Sequence, residues 1–374
     1  MASIGSRKGA LRRGAAGLAG VGVAAALLSG CATAPKPQAS GSPGSTAAGS
    51  PSVGGSSSAG SVSDVAVGLE APWSIAFHGK TALVSARDSG KILELVDGKA
   101  REVGSIEGST AAGEGGLLGI AVFEDSLYAY FTAGEENRIE RFDLTGEPGN
   151  LGLGETETIV EDLPAAGVHN GGRIAFGPDK MLYVTVGDAG NSSDAQERES
   201  LSGKILRLTP DGKVPQDNPF EGSPVYSLGH RNPQGLAWAE NGTMYASEFG
   251  QNTWDELNVI KAGANYGWPE VEGIASDERY ENPVQQWAPE AASPSGMAIA
   301  DGSIWIANLR GERLRQVPLT DAGSSREHLV GQYGRLRDVA VAPDGSLWVL
   351  TNNTDGRGQA GPDDDRILRL TPPA

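Results

Sequence analysis

The sequence predicts an all-β fold, a six-bladed β-propeller, on three observations. One short pattern recurs six times: an apolar residue followed by Ala, a polar turn, then a second apolar anchor that opens another strand. Successive Ala positions lie 45, 54, 62, 61 and 42 residues apart, and periods of this size fit about four short strands per repeat. No stretch carries the 3.6-residue apolar period of a long amphipathic helix.

The copies run in order along the chain. The first sets Ile75-Ala76 against Leu83-Val84, the second Ile120-Ala121 against Leu127-Tyr128, and the third Ile174-Ala175 against Leu182-Tyr183. The fourth sets Leu236-Ala237 against Met244-Tyr245, the fifth Met297-Ala298 against Ile304-Trp305, and the sixth Val339-Ala340 against Leu347-Trp348. In each copy the two anchors are seven or eight residues apart, a strand–turn–strand distance. Gly177-Pro178-Asp179-Lys180, Glu240-Asn241-Gly242 and Pro343-Asp344-Gly345 supply the turns. Lys204–Leu208 and Arg366–Leu370 read as third strands, and a strand near Asp64–Gly68 is placed to close the ring against the last blade. Insertions swell the second to fourth copies, and inserted loops on one face of a repeat fold usually carry the site.

Three segments precede or make up this array. Residues 1–30 read as a lipoprotein signal peptide: Arg7, Lys8, Arg12 and Arg13 precede an Ala/Gly/Val/Leu run too short for a comfortable membrane span. Leu28-Ser29-Gly30-Cys31 resembles a bacterial lipobox, which implies cleavage before Cys31, lipidation of its thiol and anchoring to the outer face of the cell membrane. Arg12-Arg13 leaves the export route open between the general and the twin-arginine pathways. Residues 31–63, rich in Ser, Gly, Ala and Pro, read as a flexible tether, and residues 64–374 as the propeller. Cys31 is the only cysteine, so no internal disulfide is expected. Removing the four basic residues of the signal leaves 26 basic against 47 acidic residues, a net charge of −21. Such a surface repels nucleic acid, and an anionic cofactor would need a local basic cluster.

The polar residues that interrupt the strands mark the candidate site. His169 sits in a Gly-rich turn before a strand, where an imidazole could take a proton from a hydroxyl or be simply a surface turn histidine. Asp188, nineteen residues on, could orient it, meet a cationic partner, or bond its own turn. Arg231, Arg310, Arg335 and Arg337 offer planar forks for carboxylates, though each could equally be a surface ion-pair residue. His230 reads as a packing residue beneath Arg231. Glu248–Asn252 and Trp254-Asp255-Glu256 gather oxygen ligands of the kind Ca²⁺ takes, a weak motif by itself. Asp363-Asp364-Asp365 resembles an acidic ligand run too but reads as a solvated turn. The glycines of Gly113–Gly119 precede a strand, not a helix, which argues against a phosphate loop.

Together, Ala71-Pro72-Trp73, Gly113–Gly119, the His169–Asp188 block, Gly229–Gly235, Asn265-Tyr266-Gly267-Trp268-Pro269 and Arg335-Leu336-Arg337-Asp338 resemble the soluble PQQ-dependent aldose dehydrogenases of the glucose/sorbosone dehydrogenase family. The resemblance spans Asp64 to the C-terminus and implies a six-bladed propeller. It implies oxidation of an aldose at C1 to the lactone, with His169 as general base and hydride passing from C1 to PQQ. Asp188 would support His169, while Arg231 and Asn232 would contact the quinone edge. Glu114, Asn308, Leu309, Arg310, Arg335, Leu336 and Arg337 fall at cofactor-binding positions. The carbonyls of Gly250 and Gln251 match those that hold a Ca²⁺ beside PQQ, and Glu256 and Tyr266 match a further calcium site. Three departures bear on substrate range: Glu114 adds a negative charge, Arg310 stands where lysine is commoner, and Asn170-Gly171-Gly172 lacks bulk. Two other readings stay open from residues alone: a sugar- or protein-binding propeller, since a propeller never proves an enzyme, and a calcium-dependent lactonase. The sugar, the electron acceptor and the oligomeric state are not specified by the sequence.

Overall fold

Among residues 61–371, which the computed structural model describes, 24 strands form six four-stranded antiparallel sheets. The first strand is β1 (Val62–Ala66). Blade 1 is β2 (Pro72–His78), β3 (Thr81–Ala86), β4 (Lys91–Val96) and β5 (Lys99–Ser105); blade 2 is β6 (Leu117–Phe123), β7 (Ser126–Ala133), β8 (Glu136–Thr145) and β9 (Gly152–Pro164). Blade 3 is β10 (Ile174–Phe176), β11 (Leu182–Val186), β12 (Lys204–Leu208) and β13 (Val225–Leu228); blade 4 is β14 (Pro233–Trp238), β15 (Met244–Glu248), β16 (Asp255–Ile260) and β17 (Gln285–Trp287). Blade 5 is β18 (Pro294–Ala300), β19 (Ser303–Asn308), β20 (Arg313–Pro318) and β21 (Arg326–His328). Blade 6 is β22 (Leu336–Val341), β23 (Leu347–Thr351) and β24 (Ile367–Leu370), completed by β1, which pairs β24 with Val62 opposite Leu370. The first strands of neighbouring blades contact one another, except that β14 of blade 4 meets β11 of blade 3, and β22 returns to β2, so the array is a closed six-bladed propeller.

The repeated Ala and aromatic anchors turn out to be cross-strand partners. Ala121 faces Tyr128, Ala175 faces Tyr183, Ala237 faces Tyr245, Ala298 faces Trp305 and Ala340 faces Trp348, while blade 1 pairs Ala76 with Leu83. A small residue opposite a ring leaves room for that ring to lean onto the neighbouring blade. Tyr128 meets Phe176, Tyr183 meets Trp238 and Trp348 meets Phe77, each edge-on with centroids 5.0, 5.1 and 5.4 Å apart. Six buried apolar clusters result, one at each blade–blade interface. The hydrophobic effect therefore acts between blades rather than within one, and a lone blade has no core.

β1 begins at Val62, two residues before the boundary read from composition, because Val62 packs against the blade 5–blade 6 cluster. The signal segment, Cys31 and the tether up to residue 60 lie outside the described residues. Only two short 3-10 turns, Ser192–Gln196 and Pro289–Ala291, interrupt the all-β pattern among the described residues. One reading is corrected: Asp363 is exposed, but Asp365 is fully buried. Its carboxylate accepts from Thr351 and Thr354 hydroxyls and from the N–H groups of Asn353 and Thr354, so it organises the end of blade 6 instead of being solvated.

Candidate active site

Antiparallel alternation puts two sets of connections at one end of the propeller: those from the fourth strand of a blade to the next, and those from second to third strands. His169, Arg231 and Asn232 lie on the first kind, Asp188, Gly250, Leu309 and Arg357 on the second. Residues far apart in sequence therefore share one face.

His169 adopts φ +55°, a left-handed conformation costly for a residue with a side chain. It is held there from both sides. Its backbone N–H donates to the Glu114 carboxylate (2.9 Å) and its carbonyl accepts the Ala189 N–H (3.2 Å). Nδ1 lies 2.7 Å from Asp188 Oδ1. A carboxylate only accepts, so Nδ1 carries the proton and Nε2 is the basic atom. Asp188 is buried, which alone would raise its pKa. The bonds from His169, the Gly190 N–H (2.8 Å) and the Trp268 indole N–H (2.8 Å) outweigh burial and hold the carboxyl below its ordinary value.

Arg231 and Asn232 stand beside this dyad. The Arg231 carbonyl accepts the Asp188 N–H (2.8 Å), and its guanidinium donates to the Phe249 carbonyl (3.2 Å) and lies over the Trp268 ring, 5.5 Å from the centroid. Burial pulls Arg231 below its ordinary pKa. Its Nε and the Asn232 Nδ2 are buried without a partner among the described residues. Asn232 Oδ1 accepts the Gly171 N–H (2.9 Å), fastening the His169 loop. His230 is fully buried as expected, bonded to Ser227 (2.8 Å) and Glu248 (2.8 Å) and stacked on Tyr266.

A pocket lined by Trp73, Arg87, Glu114, Gln234, Phe249, Leu309, Arg337 and Arg357 adjoins the dyad. Arg337 is buried, bonded to Asn352 (3.0 Å) and Gln234 (2.9 Å). Burial, with the like charges of Arg335, Arg87 and Arg173, brings its pKa down to about 9. Asp355 counters Arg335 at 3.1 Å, and Arg335 Nε and Arg173 Nη2 have no partner among the described residues. Such crowded, partly unsatisfied guanidinium groups are suited to an anion. Glu114 is not a free charge: Arg357 pairs with it at 3.1 Å.

The other predicted positions divide. Leu309 lines the pocket, whereas Arg310 points to solvent and pairs with Glu290 at 3.0 Å. Asn308 is buried, donating to the Ile306 and Arg313 carbonyls, and its own Oδ1 has no partner among the described residues. The Leu336 side chain belongs to the blade 5–blade 6 core. Gly250, Glu256 and Tyr266 line a second pocket with Arg231, Glu248, Trp268 and Glu272. Burial and the neighbouring Glu248 push the Glu256 carboxyl upward. The Gly250 and Gln251 carbonyls accept no hydrogen bond among the described residues. No three His, Cys, Asp or Glu side chains are grouped as a metal site among those residues.

Sequence reasoning gave no role to Trp268, Trp73, Arg87, Gln234 or Arg357. Both tryptophans stood in recognisable motifs next to proline, a signal that was present but silent about role. Arg87 and Arg357 carried none.

The match to known proteins follows the same extent of chain. Residues 69–368 fit the model of the family described as Glucose / Sorbosone dehydrogenase. A solved PQQ-bound aldose sugar dehydrogenase from Streptomyces coelicolor is 50% identical, with a TM-score of 0.80, over 83% of this chain and 98% of that one. An aldose sugar dehydrogenase from Escherichia coli is 27% identical over 77% of this chain and 89% of its own. Quinoprotein glucose dehydrogenase B from Acinetobacter calcoaceticus is 34% identical over 53% of this chain, which spans about half (49%) of that protein. In its fold, its site-bearing face and the extent of its match, this chain belongs to the glucose/sorbosone dehydrogenase family.

Proposed function

We propose that this protein is a PQQ-dependent aldose dehydrogenase that oxidises sugars at C1 to the lactone, exported and lipid-anchored through Cys31. The observation that carries the reading is the His169–Asp188 dyad beside a crowded arginine pocket. PQQ bears three carboxylates. The mutually repelling Arg335, Arg337, Arg87 and Arg173 and the unpartnered Arg231 Nε and Asn232 Nδ2 fit such a group. When bound, PQQ supplies the two-electron acceptor for the hydride that leaves the sugar.

The protein's own part is binding, orientation and proton movement. His169 Nε2 takes the C1 hydroxyl proton, and Asp188 holds the ring's tautomer and stabilises the imidazolium that forms. Arg231 and Asn232 present N–H donors where negative charge develops. Arg335 and Arg337 hold cofactor carboxylates, with Trp73 and Leu309 forming apolar walls. The free carbonyls of Gly250 and Gln251 would hold a Ca²⁺ beside the cofactor, and Glu256 with Tyr266 a second one. Arg310, turned to solvent against Glu290, would have to swing inward to join. The neutral sugar suits a strongly acidic protein, and a membrane-side acceptor suits the anchor.

Protein purified without cofactor and given PQQ and Ca²⁺ should reduce an acceptor dye only when an aldose is present. His169→Ala should lower kcat by roughly 10²–10⁴-fold while PQQ still binds. Absence of PQQ binding by the wild type would overturn the reading in favour of a receptor-like propeller.

A further inference from the structure

We infer that Trp268 is a positioning residue for the His169 base, acting through a hydrogen bond to the far oxygen of Asp188. The inference rests on the reading of His169 as base given above. Asp188 divides its acceptors: Oδ1 takes the His169 and Gly190 N–H groups, and Oδ2 takes the Trp268 Nε1–H alone at 2.8 Å. The indole thus fixes which oxygen faces the imidazole and how much charge that oxygen carries. The same ring lies beneath the Arg231 guanidinium, so one side chain ties the dyad to the arginine beside it.

Trp268 is itself held firmly. Its backbone N–H donates to the Gly229 carbonyl (2.9 Å) and its backbone carbonyl accepts Gln196 Nε2 (2.6 Å). Gln196 also exchanges two hydrogen bonds with Asn265, at 3.1 and 2.7 Å. Gln196 closes the 3-10 turn whose Asp194 and Ala195 carbonyls accept Lys204 Nζ at 2.8 and 3.0 Å. A ring fixed this way gives the buried carboxylate one orientation.

The sign of the effect follows. A buried carboxylate that loses a donor holds its charge less well, so a protonated imidazole beside it becomes more favourable. The other charged groups facing the dyad are Glu114 with its partner Arg357, and Arg231 with Glu248 and Glu272 near it. Trp268→Phe alters none of them and keeps an aromatic face under Arg231.

The test is a His169 imidazole titration, followed by NMR in cofactor-free protein, for wild type and Trp268→Phe. The midpoint should rise by about one pH unit. In the PQQ- and Ca²⁺-loaded enzyme, kcat should fall about tenfold, the acid limb of kcat/KM should move up in pH, and KM should stay within about twofold. In an Asp188→Asn background the same substitution should cost little more. An unmoved His169 midpoint, or a loss that adds fully to that of Asp188→Asn, overturns the proposal. Should the Phe variant not fold, Gln196→Leu keeps the indole but frees its backbone, and should move the midpoint the same way by less; no movement there counts equally against it. The titration needs no turnover. A wild type that moves as expected on Trp268→Phe but never oxidises a sugar would sink the dehydrogenase reading and leave the positioning role intact.

Discussion

Gly187 shows how a single atom governs this site. A Cβ built there would stand 1.9 Å from the His169 carbonyl oxygen and 3.0 Å from Asn232 Oδ1. The glycine is needed for close approach, since its φ is ordinary; by contrast His169 itself carries the unfavourable φ. Gly187→Ala must push the His169 loop outward, and displacement of a base by about 1 Å costs on the order of 100-fold. The expected result is a kcat lower by about that factor with PQQ affinity nearly unchanged, measured by dye reduction and by cofactor titration. At this scale the sequence was informative about identity and poor about partners. The sequence offers His169 and Asp188 as a possible pair, and the structure adds partners it does not show: Glu114, which also lines the pocket, braces the His169 backbone and pairs with Arg357.

The connection from β16 to β17 shows how an element can move a residue to an unexpected place. It leaves blade 4 at the end opposite the site, then runs back parallel to β13, with Gly263 N–H donating to the Tyr226 carbonyl and Tyr266 N–H to the Leu228 carbonyl. That climb delivers Trp268 to Asp188. The adjoining 192–203 loop is pinned by Lys204, whose buried ammonium donates to the carbonyls of Asp194, Ala195 and Ser202 at 2.7–3.0 Å. Lys204→Met leaves the Ser202 carbonyl without a donor, while those of Asp194 and Ala195 keep the Glu197 and Gly229 N–H groups, and should destabilise the fold by about 1–3 kcal/mol, read from denaturant unfolding. Burial also lowers the Lys204 pKa from 10.5 to about 8. Between those values the unfolded chain binds a proton that the folded chain lacks, so stability rises with pH there. The wild type should accordingly gain on Lys204→Met as pH is raised from 8 to 10.5.

Across the whole molecule, closure and the central axis set stability. β1 supplies the outer strand of blade 6, so segments from the two ends of the described chain complete one sheet. Deleting residues up to 66 would expose the β24 edge and remove Val62 and Val65, uncovering the two interface clusters they pack on. A thermal midpoint lower by about 5–10 °C is expected by calorimetry. On the axis, one guanidinium joins four blades: Arg173 reaches the Gln234 carbonyl (2.9 Å), Ser74 (3.0 Å) and Asp338 (3.1 Å). Burial raises the Asp338 carboxyl, and Arg173 and two backbone N–H groups work against that rise. Gln234, which lines the arginine pocket, is thereby tied into a network that joins these blades.

What the sequence by itself determined was the architecture and the residues of the dyad. Blade count was legible because each repeat must place a small residue opposite a bulky one, and that constraint is local: Ala121 and Tyr128, or Ala340 and Trp348, are a few residues apart. Only the tertiary structure decided which groups meet from different blades. Trp268 reaches Asp188 from 80 residues away, Arg337 meets Gln234 across 103, and Arg173 meets Asp338 across 165. Those contacts depend on ring closure and on the path of one long connection, and no spacing along the chain encodes either. The structure likewise decided between Arg310 and Leu309, for a local reason: adjacent residues in a turn point opposite ways, one to solvent and the other into the pocket.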